Sequence, residues 1–227
     1  PPRWYRRRQR QMCIRDRYHV VALAFSPIGR WLASGSLDGS ARLWDLKDGD
    51  PTANPTVLHG HEWDILALAF SPDGRWLATA SKDTTVRLWD LGLKDPAADP
   101  LVLRGHIGGA QTVAFSPDGR WLAAVSGDDT GQLWNWQAEE PTTEPLLLRG
   151  HKDGILTLAF SPDGRWLATG SRDGTARLWH MRLDELLVLA CRTAGRNLTR
   201  EEWQQYLPDA PYHATCPGLP VPAEPTP

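Results

Sequence analysis

Serine, histidine and aspartate recur together along this chain, the three residue types that hydrolases combine for nucleophilic attack. In such a site histidine takes the serine proton and aspartate orients the imidazole. The sets are His61, Ser81 and Asp83; His106, Ser126 and Asp128; and His151, Ser171 and Asp173, with Ser36 and Asp38 as an incomplete first set. A tryptophan stands six residues beyond each aspartate, at Trp44, Trp89, Trp134 and Trp179. Repetition argues against catalysis. A nucleophilic centre is needed once, whereas a satisfied polar network repeated along a chain rigidifies its core.

Other chemistries find less support. His59 and His61 could pair as metal ligands, but Arg104 and Arg149 replace His59 in the sister segments, and no cysteine or carboxylate accompanies them at ligand spacing. Asp45, Asp48 and Asp50 lack the glycine and downstream glutamate of a calcium loop. No Gly-Lys dipeptide occurs, so no phosphate-cradling loop is expected. Arg30, Arg75, Arg120 and Arg165 each lie between a glycine and a tryptophan and read as solvated turn positions. Acidic loops interleave with them, against the clustered positive potential a nucleic-acid surface needs. The expectation is no cofactor, no metal, no nucleic acid and no membrane.

The elements that carry these residues are strands. Phe25, Phe70, Phe115 and Phe160 are 45 residues apart, and the four tryptophans keep the same step, a period that signals stacked supersecondary units. Within one unit DILALAF and RWLATAS are short apolar runs separated by Ser71-Pro72-Asp73-Gly74, which is hairpin punctuation. TVRLWDL follows after the turn Lys82-Asp83-Thr84, and LVLRGH at residues 101–106 supplies a fourth short strand. Each unit is expected to form a four-stranded antiparallel sheet.

Gly-His, then FSPDGRWLATxS, a turn aspartate and RLWD resembles the WD-repeat family over residues 18–181. The resemblance implies an all-β propeller of about four blades, part of a larger ring, with repeats at 18–46, 56–91, 101–136 and 146–181. Each repeat would span the outer strand of one blade and the inner three of the next. It also implies that the recurring residues are buried tetrads, with aspartate and serine bonded to the histidine and the tryptophan donating its indole N–H. Serine is preferred to the residue two earlier, because that position holds Ser34, Thr79 and Thr169 but Ala124.

Both ends read differently. Residues 1–17 carry seven arginines, and Arg7 to Arg17 resembles the read-through translation of a sequencing-library adapter. The period asks for Gly-His at 15 and 16, where Arg15 and Asp16 stand. This segment is therefore excluded from fold reasoning. Without it Lys+Arg falls from 25 to 18 and Asp+Glu from 27 to 26, a net charge of −8 instead of −2. Residues 184–208 read as a helical tail, with Leu183, Leu187, Ala190 and Ala194 on one face, Gly195 as a stop and a capping box at Thr199 and Glu202. Leu186 to Leu189 could instead form a missing outer strand. Residues 209–227 are proline-rich. Cys13, Cys191 and Cys216 share no redox or metal spacing; Cys191 and Cys216 could be bonded, although a cytoplasmic setting favours free thiols.

The tail ACRTAGRNLTREEWQQYLP resembles the extension that follows WD repeats in bacterial STAND-type NTPases. The expected function is a non-catalytic scaffold or sensor from the C-terminal part of such a protein. A docking domain of a bacterial kinase or protease is the alternative, and a hydrolase using one Ser/His/Asp set a distant third. The partner is expected to be a protein or peptide, beside the remaining blades of the parent chain. It would bind where the repeats differ, at Glu62, Trp63, Lys82, Lys152, Asp153 and Arg172.

Overall fold

The computed structural model describes residues 19–47, 55–136, 145–182, 195–197, 199–200, 214, 216 and 218–219. The chain divides into two compact units, residues 1–178 and 179–227. Strands β1 (Val20–Phe25), β2 (Trp31–Ser36), β3 (Ala41–Asp45) and β4 (Thr56–Leu58) form the first sheet. The second holds β5 (Ile65–Phe70), β6 (Trp76–Ser81), β7 (Val86–Asp90) and β8 (Leu101–Leu103). The third holds β9 (Ala110–Phe115), β10 (Trp121–Ser126), β11 (Gly131–Asn135) and β12 (Leu146–Leu148). Three strands, β13 (Ile155–Phe160), β14 (Trp166–Ser171) and β15 (Ala176–His180), form the fourth. Neighbours pair antiparallel in chain order, as hairpin connections dictate. Sequence repeat 56–91 thus gives its first strand, β4, to the sheet before the one its other strands build.

Turn chemistry explains the hairpins. In the 71–74 turn the Ser71 hydroxyl donates to Asp73 and accepts from the Trp76 amide at 2.9 Å, while Asp73 accepts from the Arg75 amide at 3.0 Å. Gly74 supplies the left-handed φ of +70° that closes the turn. The arginines expected to be merely solvated do more: Arg75 grips Asp90 at 2.8 Å and Arg30 grips Asp45 at 2.7 Å, each lying over the following tryptophan. A bulge near the start of β1, β5, β9 and β13 turns each first strand toward the loop that enters it.

Sheet packs on sheet through small residues. The second strands of the first two sheets present alanine or glycine to the first strand of the next, and a Cβ added to Gly35 would lie 2.7 Å from Ile65. Ala78, Ala80, Leu88 and Val86 of the second sheet close on Val113 and Phe115 of the third in the same way. Burying these apolar faces is the main source of stability, about 25 cal/mol per Å² removed from water. Among the described residues no further sheet covers the two outer faces. Phe25 is 67% exposed where Phe70 and Phe115 are 9%, and Leu178 is 69% exposed where Leu88 is 0%.

In the second unit Asn197 is buried and grips Cys216, accepting from its amide at 2.7 Å and donating to its carbonyl at 3.2 Å. Cys216 is disulfide-bonded, which corrects the expectation of free thiols. That expectation rested on compartment alone, whereas burial and the Asn197 clamp hold this cysteine in place. Its partner cysteine, the N-terminal segment 1–17 and almost all of the expected helical tail lie outside the described residues, Arg200 being the single described helical position.

The exposed faces make a prediction. The 25.3 kDa chain should associate as its concentration rises, by light scattering, and Leu23→Ser with Phe25→Ser should weaken that association while preserving the circular dichroism. A concentration-independent monomer would show that these faces do not attract one another.

Candidate functional site

The second sheet shows the complete tetrad. The loop from β4 to β5 brings His61 against the β6 to β7 turn, where its Nδ1 lies 2.8 Å from Asp83 Oδ2. Nε2 lies 2.8 Å from the Thr79 hydroxyl, and Trp89 donates its indole N–H to the same oxygen at 3.0 Å. The network assigns the proton to Nδ1, with Thr79 donating to Nε2. Burial pushes the His61 pKa down, against the pull of Asp83, so the ring is neutral at pH 7. Burial alone would raise Asp83, but hydrogen bonds from Thr85 and His61 outweigh it and hold its pKa at about 2. In the fourth sheet His151 repeats the bonds, to Asp173 at 3.0 Å and Thr169 at 2.9 Å. Trp179 lies in β15.

The linking hydroxyl is therefore threonine, not the serine expected from the sequence. Ser81 instead donates to the Trp63 carbonyl at 3.0 Å and accepts from the Asp83 amide at 3.1 Å, and Ser171 does the same with Asp153 and Asp173. Ser126 and Ser36 accept from the amides of Asp128 and Asp38. Serine thus fixes the turn and its approach to the loop, out of reach of the imidazole. A second hydroxyl went unnoticed in the sequence: Thr85, two residues after the aspartate, donates to Asp83 Oδ1 at 2.7 Å, as Ser40, Thr130 and Thr175 do in their own sheets. The first sheet keeps Asp38 and the buried Trp44.

The third sheet departs from this pattern. Ala124 stands where Thr79 and Thr169 stand, and both ring nitrogens of His106 and the indole N–H of Trp134 are buried without hydrogen-bond partners. Asp128 turns away from the ring and accepts the Ile107 and Gly108 amides at 2.7 and 3.2 Å. Burial drives the His106 pKa down to about 4, only partly opposed by the charge of Asp128. No serine here is activated by a histidine among the described residues. Nor does any cluster of three or more His, Cys, Asp or Glu residues there have the arrangement to hold a metal.

The same loops and turns form one end of the sheets, and there the exposed residues differ between repeats. Trp63 is 57% exposed, with the Lys82 ammonium 5.5 Å from its ring centre, and Lys82 also lies 3.9 Å from Asp64. Ile107 is 91% exposed. Lys82 packs against Gly109, where a Cβ would meet its Cα at 2.9 Å, so Trp63, Lys82 and the Ile107 loop are neighbours across the join. Glu62, Lys152, Asp153 and Arg172 are exposed, although the backbone amides of Glu62 and Lys152 are bound to Asp83 and Asp173. Ile107 was not among the binding residues that the sequence suggested. Its signal was an apolar residue directly after Gly-His, where the sister repeats carry Glu62 and Lys152.

A family model described as "WD domain, G-beta repeat" matches residues 12–45, 53–90, 100–135 and 142–180, together well over half of the chain. No curated protein matches the chain.

The third sheet is a stability experiment prepared by the sequence. Ala124→Thr should give His106 and Trp134 the missing hydroxyl and raise stability by about 1 kcal/mol, while Thr79→Ala should cost about 1 to 3 kcal/mol. Urea unfolding measures both. The pH dependence has a definite sign. Between the ordinary histidine value of 6.5 and about 4, the unfolded chain takes up a proton at position 106 that the folded chain refuses. Stability should therefore fall as pH drops through that window, and His106→Leu should flatten the slope of thermal midpoint against pH. An unchanged slope would show that His106 is open to solvent.

Proposed function

The chain belongs to the WD-repeat family, and on that premise we propose that it is a non-catalytic scaffold or sensor that binds a protein or peptide at its His-loop face. The observation that carries this reading is the neighbouring trio of Trp63, Lys82 and Ile107, exposed on a surface whose serines, threonines and aspartates are occupied by structural hydrogen bonds. A large aromatic beside a cation and an aliphatic side chain is the composition of a binding hot spot. The constellation that could have carried hydrolysis is spent on fold geometry, since Ser81 and Ser171 point to loop carbonyls.

The parent we propose is a bacterial STAND-type NTPase with this propeller as its sensor, a reading supported by the tail segment from Ala190 to Pro208. Within the proposal the protein works in the cytoplasm, and the disulfide at Cys216 weighs against that setting, because bonded cysteines persist mainly in oxidising compartments. Thiol counting on protein taken from its host decides the matter. With Cys216 bonded a single free thiol among the three cysteines is expected, and three free thiols would show that the bond does not form in the host.

Replacing Trp63, Lys82 and Arg172 together by alanine should abolish capture of the partner while leaving circular dichroism and thermal midpoint unaltered. Capture that survives this change, and is lost when the acidic loops at 92–100 and 137–145 are neutralised, would move the partner to the opposite face.

A further inference from the structure

At the end of the sheets opposite the His loops, the turns that join first and second strands enclose a cleft of about 270 Å³. Ser71, Pro72 and Asp73 line it from the second sheet, and Asp118, Gly119 and Trp136 from the third. In the corresponding join between the first and second sheets a half-exposed isoleucine lies over the turn glycine as a plug. Ile28, the counterpart of Asp73, lies so close to Gly74 that a Cβ there would fall 2.8 Å from its side chain. Leu91 is the counterpart of Trp136 in that join. Two replacements therefore separate the joins: aspartate for isoleucine removes the plug and adds charge, and tryptophan for leucine adds a ring.

Trp136 is held in place. Its ring meets Trp76 edge-on, with centroids 4.9 Å apart, and Phe115 at 6.4 Å. Both carboxylates are oriented by their own turns, through the amides of Arg75 and Arg120 at 3.0 Å. Of the two flanking guanidiniums, Arg75 is paired with Asp90 and also lies in the field of Asp73, and Arg120 lies over Trp121. The cleft is thus lined by a fixed indole and two turn-held carboxylates.

We propose that this cleft receives the cationic end of a lysine or arginine side chain presented by a peptide. A cation packed on indole gains from the ring's negative face, and tryptophan is the strongest of the aromatic platforms. Carboxylates accept charge-assisted hydrogen bonds from ammonium or guanidinium. The volume suits one side chain and falls below the range of drug-sized pockets. The site lies at the other end of the sheets from Trp63, so its binding is independent of the function proposed above.

The test uses the full chain, ¹⁵N-labelled, and four capped pentapeptides with arginine, lysine, citrulline or norleucine between flanking glycines. The Trp136 indole resonance, assigned by its loss in Trp136→Leu, should shift saturably with the arginine and lysine peptides and stay unmoved with the other two. Asp73→Ile, which restores the plug of the first join, should weaken binding about tenfold or more. Asp73→Asn with Asp118→Asn removes the charge without filling the space and should do the same, while Trp63→Ala changes nothing. Equal shifts from norleucine, no shift from either cationic peptide, or full affinity in the double asparagine variant would each overturn the proposal.

Discussion

How one sheet follows the next depends on one carboxylate in each of the second, third and fourth sheets, the aspartate in the turn between second and third strands. Asp83 receives the His61 imidazole on one oxygen, together with the Glu62 amide, and the Thr85 hydroxyl and amide on the other. The loop it captures has just come from the preceding sheet. Its hydrogen bonds therefore fix how one sheet follows the next, a decision that local strand pairing cannot make. Four partners on a half-buried carboxylate keep it ionised far into acid, because each of them favours the charged form.

The third sheet separates the parts of this device. With Ala124 in place of threonine the imidazole and the indole lose their common partner, yet Asp128 still holds the loop, through the Ile107 and Gly108 amides and the Thr130 hydroxyl. The aspartate is the element that captures the chain. The histidine adds rigidity where a hydroxyl completes its bonding, and becomes a buried cost where none does. Sheet packing survives because apolar burial, not the polar set, supplies most of the energy.

The period and the strand order were legible because turn chemistry recurs every 45 residues without an insertion, whereas the sharing of one repeat between two sheets was implied by the family resemblance. The identity of the linking hydroxyl was not. Thr79 and Ser81 lie two residues apart and share a face of β6, so alternation cannot choose between them. Unanimity across repeats favoured the serine, whereas depth decided the outcome: Thr79 stands diagonal to Trp89, and Ser81 at the strand end faces the loop. Exposure was illegible for a different reason. Leu23 and Leu68 occupy equivalent places in equivalent strands, and the first is exposed while the second is partly covered by the neighbouring sheet at Gly35.

Internal repetition also supplies a control that a single sequence otherwise lacks. Where four sheets must meet the same packing demand, a residue that departs from its sisters answers to something other than packing. Ile107 departs from Glu62 and Lys152, and it is among the most exposed apolar side chains of the described residues. Trp136 departs from Leu46, Leu91 and Met181, and it lines a charged cleft between the 71–74 and 116–119 turns. Ala124 departs from threonine and leaves three buried nitrogens without partners. Most of these departures gather at the join between second and third sheets, at both of its ends. A scaffold of repeated sheets becomes a particular protein at the places where its repeats disagree, and here that place is one seam.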